Sequence, residues 1–195
     1  MKYLQRRRGF GLAAVESTGM DQIFANLPCH LADAAATEKL GTLLSLRLLE
    51  GRRQPRSTGE RPADQGLVVP DLILLKGELG AGKTSLVRGL AAGLGIEEPI
   101  TSPSFALAQH YTGTLPPTHR GGAQTPTALV HLDLYRLEEP ASADELFLQE
   151  EEAAAALEAV MAVEWPERLS FVPGGAWCVE LGFERDGRWV RVWQA

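Results

Sequence analysis

Residues 77–84 read Gly-Glu-Leu-Gly-Ala-Gly-Lys-Thr, the G-x-x-x-x-G-K-[ST] spacing of a phosphate-binding loop, or P-loop. No other segment constrains the fold as much, because the chemistry of this loop demands a particular surround. Its glycines let backbone N–H groups turn inward around phosphate oxygens. Lys83 brings a point charge to the β- and γ-phosphates, and the Thr84 hydroxyl serves Mg2+. A helix starting there adds the positive end of its dipole to the anion site. A strand must therefore lead in and a helix must lead out. Both are written in the flanks. Asp71-Leu-Ile-Leu-Leu-Lys76 carries an apolar run suited to a buried parallel strand. Leu86, Val87, Leu90, Ala91 and Leu94 recur at helical spacing, with Gly95 placed to cap the end. The expected nucleotide contacts are Glu78, Leu79, Gly80, Ala81, Gly82, Lys83, Thr84 and Ser85.

Length and composition bound the rest. A chain of 195 residues, 45% hydrophobic and 23% charged, suffices for one domain with a sizeable core. No apolar run approaches the roughly 20 residues needed to span a bilayer, so no membrane partner is expected. A net charge of −6 argues against stable, unaided binding to a nucleic-acid backbone. Cys29 and Cys178 lie far apart and suit free thiols in a reducing cytosol, so the expected location is cytoplasmic. His30, His110, His119 and His131 are scattered, without zinc-ligand spacing. The first residues carry Arg6-Arg7-Arg8, and the apolar stretch Phe10–Val15 falls short of a secretory core of roughly 7–15 residues. Residues 1–30 are read as a disordered leader or a misplaced start, with Met20 as the alternative first residue. Residues 31–195 are read as a single domain.

Along that domain, Leu31–Glu50 reads as a helix with Asp33 and Thr37 as possible caps and Leu40, Leu43, Leu44 and Leu48 as its apolar stripe. Gly51–Gln65, with Arg52, Arg53, Arg56 and Arg61, reads as a solvated loop. Ser104–Tyr111 and Ala128–Leu134 read as an antiparallel pair joined by a surface loop over Thr112–Thr127. Ser142–Leu148 and Glu150–Ala159 read as one or two helices, with Ser142 and Asp144 as candidate caps. Val160–Glu164 reads as a buried strand. Ala176–Phe183 and Arg188–Trp193 form a hairpin across Asp186-Gly187. The fold class is α/β: a P-loop NTPase-like mixed β-sheet flanked by helices.

Two acidic residues complete a nucleotide site on paper. Asp133 follows the apolar strand Leu129-Val-His-Leu132, where an aspartate serving the metal belongs. Glu164 ends the strand Val160–Val163 and could join Thr84 around Mg2+ or order the attacking water. Lys83, Asp133 and Glu164 are the expected catalytic set, and Thr84, Asp133 and Glu164 the metal set. Trp165 either covers a nucleotide or packs, and Pro166 disfavours helical geometry at it. Thr101-Ser-Pro-Ser-Phe105 offers hydroxyls that could sense a γ-phosphate, as switch loops do; as chemistry alone it reads better as a capped turn.

Taken in order, four blocks resemble the TsaE (YjeE) family of small bacterial ATPases. They are the P-loop, Thr101–Phe105, His131-Leu-Asp-Leu-Tyr-Arg-Leu137 and Val163-Glu-Trp-Pro-Glu-Arg168. The resemblance implies an ATPase with Mg2+ as cofactor, working with homologues of TsaD and TsaB. That system installs the threonylcarbamoyl group on adenosine 37 of tRNA, so tRNA is reached indirectly through the complex. Carried onto this chain, the family roles give Lys83 to the phosphates and Thr84 and Glu164 to Mg2+. Asp133 acts with the metal or its water, Trp165 lies beside the nucleotide, and Thr101–Ser104 form a switch-like loop. Thr37 matches a family threonine near the adenine. Glu78 and Ser104 stand where the family commonly has aspartate and threonine.

Two other readings compete. A small-molecule P-loop kinase would need an acceptor pocket and a lid, for which only Thr112–Thr127, with its one arginine, Arg120, is available. A nucleotide-gated binding module would use ATP to order Thr101–Phe105 without essential hydrolysis. A GTPase fits less well, since no Asn-Lys-x-Asp motif occurs.

Overall fold

The computed structural model describes residues 28–53, 71–117 and 123–195. In chain order the elements are β1 (Cys29–Leu31), α1 (Ala34–Arg53), β2 (Asp71–Lys76), α2 (Lys83–Gly93), β3 (Ala108–Leu115), β4 (Thr125–Asp133), α3 (Pro140–Ala156), β5 (Val160–Glu164), β6 (Trp177–Glu184) and β7 (Gly187–Gln194). A short 3-10 turn, Pro166–Arg168, follows β5. The strands form one mixed sheet in the order β1-β7-β6-β2-β5-β4-β3. The central pairs β6·β2, β2·β5 and β5·β4 are parallel, and the outer pairs are antiparallel.

Side-chain alternation divides the core between the two faces. Ile73 and Leu75 of β2, Leu129 of β4, and Val160 and Ala162 of β5 pack with α1 and α2. Leu72, Leu74, Val130, Leu132, Met161 and Val163 pack on the other face with α3. Helix α2 ends as expected. Gly95 takes φ 70, and Gly95 and Ile96 donate back to the carbonyls of Ala92 and Ala91, a Schellman termination.

Several boundaries differ from the sequence reading. Cys29 and His30, assigned there to the leader, pair with Val190 and Trp189 of β7, so the sheet claims them. Helix α1 accordingly starts at Ala34, capped by Asp33 through a 2.8 Å bond from the Ala36 N–H. It also runs on through Gly51–Arg53. Arg52 is no loop residue: it donates to Asp71 at 2.6 Å and to the Glu158 carbonyl at 2.8 Å, tying the helix end to β2 and to the entry of β5. Residues 1–27 and 54–65 lie outside the described residues.

The β3–β4 hairpin is longer than expected and begins later. Thr112–Leu115 and Thr125–Thr127 belong to strands and not to a surface loop, because β3 passes against the end of α2, where the Thr114 N–H meets the Gly95 carbonyl at 3.3 Å. Ser104–Ala106 form a turn instead of strand. Helix α3 is a single helix entered through Pro140. Ser142 and Asp144 do not cap it, and Asp144 instead accepts bonds from the N–H and hydroxyl of Ser170.

The two helices over the P-loop face meet backbone to backbone. A Cβ on Gly89 would lie 1.8 Å from the Glu38 carbonyl oxygen, and one on Gly41 would lie 2.1 Å from that of Leu86. This approach lets Thr42 bond the Gly89 carbonyl at 3.0 Å. Gly89→Ala forces the helices apart and is expected to cost about 1–3 kcal/mol or more. Chemical denaturation measures it, and an unchanged midpoint would refute the packing described.

Candidate phosphate-binding site

The P-loop fits the end of β2 only because of its glycines. Gly77 takes φ 136, and a Cβ there would lie 2.2 Å from the Leu181 carbonyl oxygen. Gly80 and Gly82 also have positive φ, at 80 and 109. Such angles suit glycine and turn the chain back on itself. Gly82 leads directly into α2, whose first turn has no side-chain cap, as expected of a helix end shaped for an anion.

Strand register brings the acidic residues to this loop. Leu75 of β2 is level with Glu164 of β5, which is level with Asp133 of β4. Alternation then matters. His131 and Asp133 follow Leu129 on the α2 side of β4, and Glu164 follows Ala162 on the α2 side of β5. Both carboxylates therefore open beside the loop in a cleft of about 250 Å³, together with Lys83, Thr84, Ser85 and Trp165.

Within the cleft the bonds are specific. The Thr84 hydroxyl donates to Glu164 Oε1 at 2.7 Å. The same oxygen meets Nε2 of the fully buried His131 at 3.0 Å, while His131 Nδ1 has no partner among the described residues. The Nε2–H is thus the donor that holds Glu164. Asp133 Oδ2 accepts from the hydroxyls of Ser102 and Ser104 at 2.8 and 2.5 Å, and Oδ1 from the Tyr135 N–H at 3.1 Å.

Lys83 is 4% exposed. Its Nζ donates to the Gly77 and Glu78 carbonyls at 2.7 and 3.0 Å and stands 4.0 Å from the centroid of the Trp165 ring. Burial pushes its pKa below the usual lysine value, against the opposing pull of Glu164, Glu167 and Asp133. Trp165 is left-handed (φ 61), a conformation that costs about 1–2 kcal/mol in a non-glycine residue. Pro166 disfavours a right-handed helical Trp165, and the residue takes neither that nor the extended region (φ 61, ψ 49). The result lays the indole against Tyr135, with ring centroids 4.9 Å apart.

A profile of the family described as "Threonylcarbamoyl adenosine biosynthesis protein TsaE" matches residues 31–189. This chain belongs to the TsaE family. A relative from Nostoc sp., described as tRNA threonylcarbamoyladenosine biosynthesis protein TsaE, is 39% identical over 159 residues, covering 80% of this chain and 78% of that protein. Relatives of the same description from Synechocystis sp. and Mycobacterium tuberculosis are 43% and 42% identical; those matches cover 59% and 57% of this chain and 66% and 62% of theirs. Among solved structures, Bacillus subtilis YdiB aligns with a TM-score of 0.51 at 22% identity, over 85% of this chain and 83% of that one, and so shares the fold.

For this TsaE-family chain the structure gathers most of the residues singled out in the sequence. Leu79, Gly80, Gly82, Lys83, Thr84, Ser85, Ser104, Asp133, Glu164 and Trp165 all line the cleft. Glu78 contributes its carbonyl to Lys83, and the fully buried Ala81 packs beneath the loop. Thr37 and Thr101 do not line it. Thr37 is buried with its hydroxyl on the Asp33 carbonyl at 3.1 Å, and its methyl lies 3.5 Å from where a Cβ on Gly82 would stand, so it backs the loop. Thr101 is exposed. Sequence reasoning missed His131 and Ser102 as supports of the two acids, and missed Arg188 and Tyr135 as cleft residues. Strand alternation ahead of Asp133 and Glu164 could have found His131. Nothing local could have found Arg188.

Proposed function

We propose that this chain is a Mg2+-dependent ATPase that supports threonylcarbamoyl modification of adenosine 37 in tRNA, acting with homologues of TsaD and TsaB. One observation carries the nucleotide part: Thr84 of the P-loop bonds Glu164 at 2.7 Å, and Asp133 lies in register beside it. The tRNA-modification part rests on family membership and on the descriptions of the relatives. A cytoplasmic location goes with that substrate. Among the described residues, no helix is long and apolar enough to cross a membrane.

The donor set suits the metal. A hydroxyl and two carboxylates are hard oxygen ligands of the kind Mg2+ prefers. Bound there, Mg2+ supplies charge neutralisation for the β- and γ-phosphate oxygens. The chain's own groups do the rest. The loop N–H groups and Lys83 offset negative charge on the transferring phosphoryl group. Glu164 is clamped at Oε1 by Thr84 and His131, which leaves Oε2 to meet the metal or take a proton from water. Asp133 is fixed by three donors and acts with the metal or its water. Turnover by the isolated chain is slow and rises in the complex.

Phosphate release with and without Mg2+, and with and without the TsaB and TsaD homologues, tests the reading. So does complementation of a strain depleted of its modification ATPase, with tRNA nucleosides read by mass spectrometry. No turnover in any mixture, together with no restored nucleoside, would sink it.

One observation favours a second reading, the nucleotide-gated module. Ser102 and Ser104 spend their hydroxyls on Asp133, so anything that engages Asp133 also alters the 101–107 segment. That segment is anchored under strain. Leu107 has φ 67, donates to Pro103 and accepts from the Asp133 N–H. Phe105, at its tip, is 87% exposed beneath the Arg136 guanidinium. The kinase reading loses ground, because both ends of its candidate lid, Thr112–Leu115 and Thr125–Thr127, are paired strand.

A further inference from the structure

Arg188 is the second residue of β7, just past the Asp186-Gly187 turn, yet its side chain lies against the P-loop. Nη2 donates to the Gly80 carbonyl at 3.3 Å, and a Cβ on Gly82 would stand 3.3 Å from Nε. The residue lines the same cleft as Lys83 and Thr84. Among the described residues, the buried Nε has no hydrogen-bond partner and no carboxylate pairs with the guanidinium. A guanidinium has five N–H donors, and among the described residues this one makes a single long bond. Leaving a buried donor unsatisfied is costly, and a cation held unpaired beside an anion-binding loop is suited to an anionic ligand.

The sheet order says which part of the ligand it meets. Asp133 and Glu164 stand on β4 and β5, to one side of β2 and its loop; β6 and β7 lie on the other side. Arg188 therefore reaches the loop from the side opposite the two carboxylates and the Thr84–Glu164 bond. The terminal phosphate belongs with the metal ligands. What lies toward Arg188 is the remote end of the ligand, the inner phosphate and sugar.

We infer that Arg188 is a nucleotide-binding residue that holds the inner-phosphate end of the ligand, common to ATP and ADP. It is a positioning residue for hydrolysis and not a stabiliser of the transferring group. This inference rests on the nucleotide-binding reading above and deepens it.

The test is equilibrium titration of the full chain with Mg2+-ATP and Mg2+-ADP, alongside steady-state phosphate release. Arg188→Ala weakens both nucleotides by the same factor, about 10- to 100-fold for a lost charge-assisted contact. The fall in kcat/KM is carried by KM. Arg188→Lys keeps the charge but not the fork, and recovers part of the affinity for both. Unchanged affinity for both nucleotides overturns the inference, as does a loss confined to ATP or a loss carried by kcat. Lys83→Ala in the same titration separates the two failures. If it too leaves both affinities unchanged, the nucleotide site itself is misassigned. If it weakens binding while Arg188→Ala does not, only the role of Arg188 falls. Where Arg188→Ala does not fold, Arg188→Lys and Arg188→Gln carry the comparison, and parent-like affinity for both nucleotides in Arg188→Gln overturns the inference.

Discussion

Lys83→Ala is expected to lower nucleotide turnover about 10²- to 10³-fold while the sheet and helices stay folded. The size follows from where the charge sits. Lys83 is nearly fully buried, so its field acts through little water, and the loop places it among three carboxylates that would otherwise repel a phosphate chain. Among the described residues, no second lysine lines the cleft to replace it. The fold survives because the two carbonyls it holds, on Gly77 and Glu78, lie on a loop that is not fully buried and can turn to water. Trp165 loses the ammonium from its ring face, so intrinsic fluorescence reports the change independently of turnover. Phosphate release at parental rate from a folded Lys83→Ala variant would refute the assignment of the site.

How much of this was legible beforehand depends on the range of each signal. The strand–loop–helix unit is local, so the P-loop and its flanks could be read directly. Asp133 and Glu164 could be placed because a carboxylate at the end of an apolar strand has few structural reasons to be there. Their convergence needed the parallel register of β2, β5 and β4, which no single segment encodes. Arg188 is the sharper case. It reaches the loop only because β7 lies two strands from β2, a fact of sheet order that leaves no local trace. The strand end of β3 was misread because apolar alternation over Ser104–Tyr111 competes with a turn that closes on Pro103 and Asp133. The three-residue strand β1 is too short for periodicity to register and exists through its pairing with β7. The close contact of α1 and α2 was invisible because glycine in a helical pattern reads as a weakness until a second helix is laid against it.

Glu164→Gln is expected to lower turnover by a similar 10²- to 10³-fold while sparing nucleotide binding far more than Lys83→Ala does. Glutamine keeps the length and one carbonyl oxygen, so Thr84 and His131 retain an acceptor, and the buried imidazole is not orphaned. What disappears is the negative charge that a metal or a water proton requires. Glu164→Ala is the harsher change: it strips His131 Nε2 of its acceptor at a site 0% exposed, and the unsatisfied donor costs about 1–3 kcal/mol. Lower stability in the alanine variant with near-parental stability in the glutamine variant would separate structural from chemical loss. Glu164→Gln also divides the two functional readings. Asp133 and its serine loop remain in place, so a variant that binds ATP without hydrolysing it can still rearrange residues 101–107. If that variant restores threonylcarbamoyladenosine in a depleted strain, nucleotide binding is the useful event. If it fails while binding ATP normally, hydrolysis is. Turnover that matches the parent would remove Glu164 from the chemistry altogether, and with it the argument that the 2.7 Å contact to Thr84 marks a metal site.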